Sequence, residues 1–408
     1  MTPQHDLTIS IVLATHNRLD VLMNTLSKLG ECGLPRDAYE IVVVDNASTD
    51  ATAATVEPLV DRLVRLRRNR GSCAKAYGVD RARGRFIVFL DDDSHPVPGS
   101  LARMADHFER ELRLGAAGFT VTLPDGRAEG SALPGVFVGC GVGLRHDALY
   151  AVGGPDRTFF MQAEEYDLSF RLAHAGWNVR LFDDLEVHHL KTPDSRRTER
   201  TTFYDTRNNL RVIARHLPAP YARVYREDCI QRYHWLAQRD GHLTAFSRGL
   251  RAGRFRAGIE RLTYRRRRLS PEVFEAFYRL RQIGEHVQRL ADSGMRRVVF
   301  ADLGKNIFPF LQGARLAGLE VTAVGDDRFA APGRAYRGIP VLPLEEALSQ
   351  HCDAVVIANT GPVHATTTHR RLRRLTPMPI HDWFGRPGFV SAPPPRQTDD
   401  IAAALAAT

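Results

Sequence analysis

Over the first ninety positions apolar residues gather into short runs divided by polar stretches. Ile9 to Ala14, Ile41 to Val44 and Phe86 to Leu90 have strand length, are rich in Val, Ile and Phe, and predict buried strands. Leu19 to Leu29 carries apolar residues at helical spacing, and Asp50 to Leu63 reads as a second helix. Strand, helix, strand, helix in this order predicts a parallel sheet with crossover helices. Ligands of such open sheets bind beyond the carboxyl ends of the strands. The polar motifs fall there: Thr15-His16-Asn17-Arg18, then Asp45-Asn46-Ala47-Ser48-Thr49-Asp50, then Asp91-Asp92-Asp93.

From about Arg196 to Gln288 the pattern turns helical, with breaks near Pro218-Pro220 and at Gly241. A smaller α/β unit begins near Gly294. Arg297 to Ala301, Glu320 to Val324 and Ala354 to Ala358 read as its strands, and Asn306 to Ala317 as a helix. It opens like half of a nucleotide-binding fold but has Gly304 alone in place of a GxGxxG pattern, so a structural or regulatory role is expected. The expected division is 1–215, a helical basic region 216–293, a Rossmann-like unit 294–385 and a flexible tail 386–408, fitting a length too great for one core.

The net charge of +9 suits anionic partners: sugar nucleotides, anionic lipid surfaces or nucleic acid. The nine arginines between Arg248 and Leu269, interleaved with Phe255, Ile259, Leu262 and Tyr264, point to peripheral contact with an anionic membrane face; the other reading is a solvated helix face. Nucleic acid is not expected, since no recognised nucleic-acid motif accompanies the patch. Five scattered cysteines without a CxxC pair support neither a disulfide framework nor a zinc site. No apolar stretch approaches the roughly 18 residues that cross a bilayer, and Met1 to Leu7 lacks an apolar signal core. A cytoplasmic protein, peripheral to the inner membrane face, is expected.

Three adjacent carboxylates at a strand mouth repel one another and call for compensation. A divalent cation, Mg²⁺ or Mn²⁺, held by oxygen ligands would supply it and would in turn hold a phosphate group. The other reading is a solvated strand end that caps the next helix.

Taken in order, the motifs resemble a family 2 glycosyltransferase of the GT-A fold, over about residues 7–215. Thr15-His16-Asn17-Arg18 resembles that family's opening loop, and Val44 to Asp50 its acidic turn after the second strand. Asn69-Arg70-Gly71 through Gly78, then Gly84, resembles its Gly-rich segment, and Asp91-Asp92-Asp93 its DxD signature. Gly153-Gly154, Phe159-Phe160 and Glu164 to Leu172 resemble its acceptor-side helix. The resemblance, which suggests rhamnosyltransferase-like members, implies transfer of a sugar from a UDP- or dTDP-linked donor to a glycan or lipid-linked acceptor. It implies donor contacts from Thr15, Asn17, Arg18, Asp45, Asn46, Lys75, Asp91 and Asp92, with Lys75 standing where relatives commonly have arginine.

Metal ligands expected beside it are Asp91, Asp93 and His189. Asp91 and Asp93, two apart on an extended chain, point the same way, with Asp93 the direct contact and Asp92 facing elsewhere. Alternation with Leu185 and Val187 puts His189, not His188, on their face. Asp45 equally suits an Asx turn with Asn46 and Ser48. Glu165, preceded by Glu164, occupies the place of the family's aspartate base, one methylene longer. Two rivals remain: a catalytically degenerate sugar-nucleotide-binding scaffold, and a nucleotidyltransferase, against which the glycine-free loop Ala14 to Arg18 counts.

Overall fold

The computed structural model describes residues 7–191 and 198–384; the tail expected at 386–408 lies outside the described residues. The first sheet takes β1 (Leu7–Thr15), β2 (Tyr39–Asp45), β3 (Arg62–Arg65), β4 (Gly84–Asp91), β5 (Ser94–Pro96), β6 (Leu114–Thr122), β7 (Ala128–Glu129), β8 (Gly141–Arg145) and β9 (Asn178–His189). Its helices are α1 (Leu19–Leu29), α2 (Thr52–Val56), α3 (Lys75–Val79), α4 (Ser100–Arg110), α5 (His146–Val152) and α6 (Glu164–His174). The strand order is β3-β2-β1-β4-β8-β6-β9-β5, with β7 paired to β6.

Ile11, Val12 and Leu13 of β1 are all fully buried, which explains an unbroken apolar run where a half-exposed strand would alternate. Ile9, Ile11 and Leu13 pack with Leu22 and Leu29 of α1 and with Leu101, Met104 and Phe108 of α4. Val12, Val42 and Val44 pack on the other side with Leu149 of α5 and Leu168 and Leu172 of α6.

Two expectations are corrected. The sheet is mixed rather than parallel: β3, β2, β1 and β4 run parallel, but β8 is antiparallel to β4 and β5 antiparallel to β9. β8 lies between β4 and β6, antiparallel to both, and β5 leaves β4 after only Asp92 and Asp93, too short a link for a parallel crossover, and pairs with β9 instead. The helix expected over Asp50–Leu63 is confined to Thr52–Val56. Pro58 ends it in a short 3₁₀ turn, and Arg62–Arg65 pairs with β2 as an edge strand.

The helical region holds α7 (Glu199–His216), α8 (Ala219–Asp240), α9 (Leu243–Thr263), α10 (Pro271–Phe277) and α11 (Leu280–Asp292). Gly241, with φ +75°, ends α8 where a break was expected. The division drawn at 215/216 falls at the last turn of α7.

The second sheet takes β10 (Arg297–Ala301), β11 (Glu320–Gly325), β12 (Ala335–Tyr336), β13 (Ile339–Leu342), β14 (Ala354–Ile357) and β15 (Ile380–His381), in the order β12-β13-β11-β10-β14-β15. Helices α12 (Phe308–Leu316), α13 (Leu344–Leu348) and α14 (Pro362–Leu375) accompany it. Its strands are parallel apart from β12. The loops after β10 and β14, where such a sheet receives ligands, are packed on the first unit and on α8. Thr360 Oγ1 donates to Ala132 O at 2.6 Å, Lys305 Nζ lies 4.0 Å from the Tyr166 ring centre, and the Tyr225 hydroxyl donates to Asn306 Oδ1 at 2.5 Å.

Candidate active site

Parallel register sets Asp45 beside Thr15 and Asp91 beside Ala14, so the polar ends of β2, β1 and β4 share one edge of the sheet. After Asp91 the chain turns at once into β5, whose Ser94 pairs with His189 at the end of β9. The turn brings Asp93 to His189: the imidazole Nε2 lies 3.2 Å from Asp93 Oδ1 and 4.0 Å from Asp91 Oδ2. His189 is on the buried side of β9 with Leu185 and Val187, while His188 is exposed.

The charges in this cluster are unevenly shared. Burial alone would raise the Asp93 carboxyl, but hydrogen bonds from His189 and Arg18 hold it well below the usual carboxylate range. His189 is the converse: burial would lower it, yet the bonds to Asp93 and Cys140 push it up to about 10. Burial lifts Asp92 to about 6 despite Arg18 and the hydroxyl of Thr15, which donates to Asp92 Oδ2 at 2.8 Å. Arg18 bridges Asp92 and Asp93, reaching Asp93 Oδ2 at 2.9 Å. Lys75, almost wholly buried, donates to Asp91 Oδ1 at 2.5 Å and to Gly139 O at 2.8 Å. It keeps Asp91 below its ordinary value against the burial that would raise it.

An imidazole lying between two carboxylates marks a place where the fold gathers negative charge that a cation could balance. Asp91, Asp93 and His189 form a donor set of the kind that Mn²⁺ or Mg²⁺ accepts, so the residues present fit such an ion. Asp91, His189 and Cys140 also each offer a ligand atom within 4.8 Å of the others.

Glu165 stands at the start of α6, half-buried, with Gly139 against it: a Cβ on Gly139 would lie 3.1 Å from Glu165 Oε1. Gly139 is the residue whose carbonyl holds Lys75, so one lysine and one glycine join the aspartate cluster to Glu165. Burial, then the neighbouring Glu164 charge, pushes Glu165 up to about 8. Burial also raises Glu164, whose Oε1 accepts from Ser72 while its Oε2 is buried without a partner.

Strained backbone concentrates here. Among the described residues eight non-glycine residues have positive φ, and five lie in these loops: Asn17, Ala47, Phe160, Gln162 and Ala163. The turn before Glu164 is clamped by Asn208 of α7, whose amide donates to Phe159 O, Met161 O and Gln162 O. Beneath α6, Asp167 binds Arg171, Arg215 and His216.

Several expected donor contacts are joined to one another. Asn17 binds Ser48 and Thr49, and Asn46 holds Arg70 N, Asn69 and Gly71 O, knotting the three loops together. Asp45 Oδ1 accepts from Ser48 N, three residues on rather than the two of an Asx turn, so the carboxylate closes its own loop. Asp92, in the two-residue turn between β4 and β5, takes the Thr15 hydroxyl and Arg18, and shares that arginine with Asp93.

Sequence reasoning missed Glu129 of β7, which meets His189 Nδ1 at 3.0 Å and thereby aims Nε2 at the aspartates. It also missed Cys140, 3.4 Å from the same nitrogen, and Ser72 beside Glu164. Glu129 follows Pro124-Asp125-Gly126, a turn signal that could have found the hairpin but not its distant partner His189. Cys140 sits in the small-residue run Gly139-Cys140-Gly141, which could have marked a close approach.

Among the described residues no helix is long and apolar enough to cross a membrane. The chain is 39% identical over 103 residues to the succinoglycan biosynthesis protein ExoO of Rhizobium meliloti, covering 24% of this chain and 29% of that protein. It is 38% identical over 79 residues to the dodecaprenyl-phosphate galacturonate synthase of Rhizobium johnstonii, covering 18% and 23%. The chain thus spans less than a third of the length of either relative. A solved structure of GalNAc-T7 with UDP, GalNAc and Mn²⁺ overlays with a TM-score of 0.47 at 14% identity, covering 59% of this chain and 56% of that one. Residues 10–132 match the sequence profile described as glycosyl transferase family 2. Residues 10–132, which span β1 to β7, therefore carry the sequence pattern of glycosyl transferase family 2.

Proposed function

We propose that this protein is a metal-dependent, inverting glycosyltransferase that moves a sugar from a UDP- or dTDP-linked donor to a glycan or lipid-linked acceptor, working at the face of an anionic membrane. The observation that carries the reading is the convergence of Asp91, Asp93 and His189 on one edge of the sheet, joined to Glu165 through Lys75 and Gly139. In the reaction the acceptor oxygen bonds to the anomeric carbon, the bond from that carbon to the diphosphate breaks, and the nucleoside diphosphate leaves. Glu165 takes the acceptor's proton. A carboxylate raised to about 8 is poised to exchange a proton near neutrality. Asp91, Asp93 and His189 would hold a divalent cation, which would neutralise charge on the departing diphosphate. Thr15, Asn17, Arg18, Asp45, Asn46 and Asp92 shape the donor side, where their mutual bonds fix the loops in advance of binding.

The test is nucleoside diphosphate release from a panel of sugar nucleotides with and without Mn²⁺, together with calorimetry of donor binding. Asp93→Ala should lose metal-dependent donor binding and keep its fold, and Glu165→Gln should bind donor and fail to transfer. Donor binding without turnover, unaltered by Glu165→Gln, would select the scaffold reading; tight metal-dependent binding by Asp93→Ala would refute the metal assignment.

A further inference from the structure

The buried side of α9 dictates what its other side presents. Ala245, Phe246, Gly249, Gly253 and Glu260 face inward. A Cβ on Gly249 would lie 2.6 Å from Phe203 O, and one on Gly253 2.9 Å from Leu210 Cδ1, so the two glycines let α9 lie directly on α7. Glu260 takes Arg211 Nε at 2.9 Å and Arg215 Nη2 at 2.7 Å, which locks the rotation of the helix.

The outward side then carries Phe255 at 70% exposure, Ile259 at 47% and Leu262 at 78%. At about 100° per residue these three fall within an arc of roughly 60°. Single exposed apolar residues are ordinary, but three large ones in one stripe are not. Arg248 and Arg251 continue the same face, Arg254 and Arg256 flank it, and Arg261, Arg265, Arg266 and Arg267 extend it; all eight are exposed. The one acidic residue from Leu243 to Arg268 is the buried Glu260.

We propose that this face of α9 docks on an anionic lipid bilayer, with Phe255, Ile259 and Leu262 entering the boundary between headgroups and acyl chains and the arginines pairing with lipid phosphates. It deepens the membrane part of the proposed function by naming the surface. An apolar stripe rimmed by cations is what an interfacial helix presents, and long arginine side chains lay their stems on the apolar surface while the charge stays in the headgroup layer. A second copy of the chain would set arginine against arginine. A nucleic acid would use the arginines but would leave the apolar stripe without a purpose.

The test is co-sedimentation of the full chain with vesicles of phosphatidylglycerol and phosphatidylcholine, against pure phosphatidylcholine. Binding to the anionic vesicles alone is expected. The double variant Phe255→Ser with Leu262→Ser should weaken it at least roughly tenfold. Replacing Arg265, Arg266 and Arg267 by Gln should weaken it by about a hundredfold, near fivefold per arginine, and flatten its salt dependence. These side chains are exposed, so melting curves should match the parent. Equal binding to neutral vesicles, no binding to either, or full binding by the double variant would overturn the proposal. So would tighter binding to duplex DNA than to vesicles, indifferent to the apolar variants. No sugar transfer is measured, so failure here leaves the transferase reading standing.

Discussion

Replacing Asp167 by Asn tests whether charge, beyond apolar packing, holds α6 and its two glutamates in place. Asp167 is fully buried. Its Oδ2 accepts from Arg171 Nε at 2.8 Å, and its Oδ1 from Arg215 Nη1 at 3.0 Å, with His216 Nε2 at 2.8 Å. Burial alone would raise this carboxyl, but Arg171, His216 and Arg215 together hold it far below the carboxylate range. Removing one partner of a buried ion pair costs about 3–5 kcal/mol, because the other charge stays behind. Arg215 keeps Asp156 at 2.6 Å and Glu260 at 2.7 Å, so the unpaired burden falls on Arg171 and His216. The expected loss is therefore at the low end, ~3 kcal/mol. Urea unfolding, with hydrogen exchange of the α6 amides as the local readout, measures it. The sign with pH follows from a depressed carboxyl: its stabilisation is complete above the ordinary carboxylate pKa and is lost as pH falls through the folded value. The gap between parent and variant should hold steady from neutral pH down to the carboxylate range and close only in stronger acid. A loss below about 1 kcal/mol, the scale of a surface pair, or a gap that widens on acidification, would refute the reasoning.

Glu164→Gln removes the charge that helps raise Glu165, so the rising limb of the pH profile of kcat/KM should move below its parent position near 8; an unmoved limb would assign it to another group. Glu165 itself, raised in the fold, costs stability as pH climbs from the ordinary carboxylate range through about 8. Glu165→Gln should thus gain on the parent in urea at pH above 8 and match it at pH near 4. Gly71→Ala forces a side chain into a φ of +63° and into the Phe160 carbonyl, and should lower stability by at least ~2 kcal/mol in thermal unfolding; parental stability would show that this turn can relax. Lys75→Met strips Asp91 of its main counter-charge and should cost about 2 kcal/mol, less than a fully buried pair because 41% of the Asp91 side chain is exposed. Unchanged unfolding of that variant would mean that His189 alone satisfies Asp91.

The chain order of residues already contained the strands β1, β2, β4, β10 and β14, because each is covered on both faces and so appears as a largely unbroken apolar run. It contained α1 to the residue, through its spacing, and the break at Gly241, through the backbone that glycine permits. It also contained the candidate acids, since polar residues ending apolar strands must lie on one rim of a sheet. What it could not contain was anything set by pairing at a distance. β3 is short and lies on an edge, so its few apolar residues merged with the helix before Pro58. Antiparallel placement of β5 and β8 depends on which partner strand is free, a property of the assembled sheet. Glu129 reaches His189 from a hairpin sixty positions away, and Lys75 meets Gly139 across the same site. The exposed stripe of α9 was equally hidden: the arginines were plain, but only the docking of Gly249 and Gly253 on α7 decided which way Phe255, Ile259 and Leu262 would face. Local propensity is written residue by residue, whereas the rotation of a helix and the company of a side chain are fixed only when distant surfaces close upon each other.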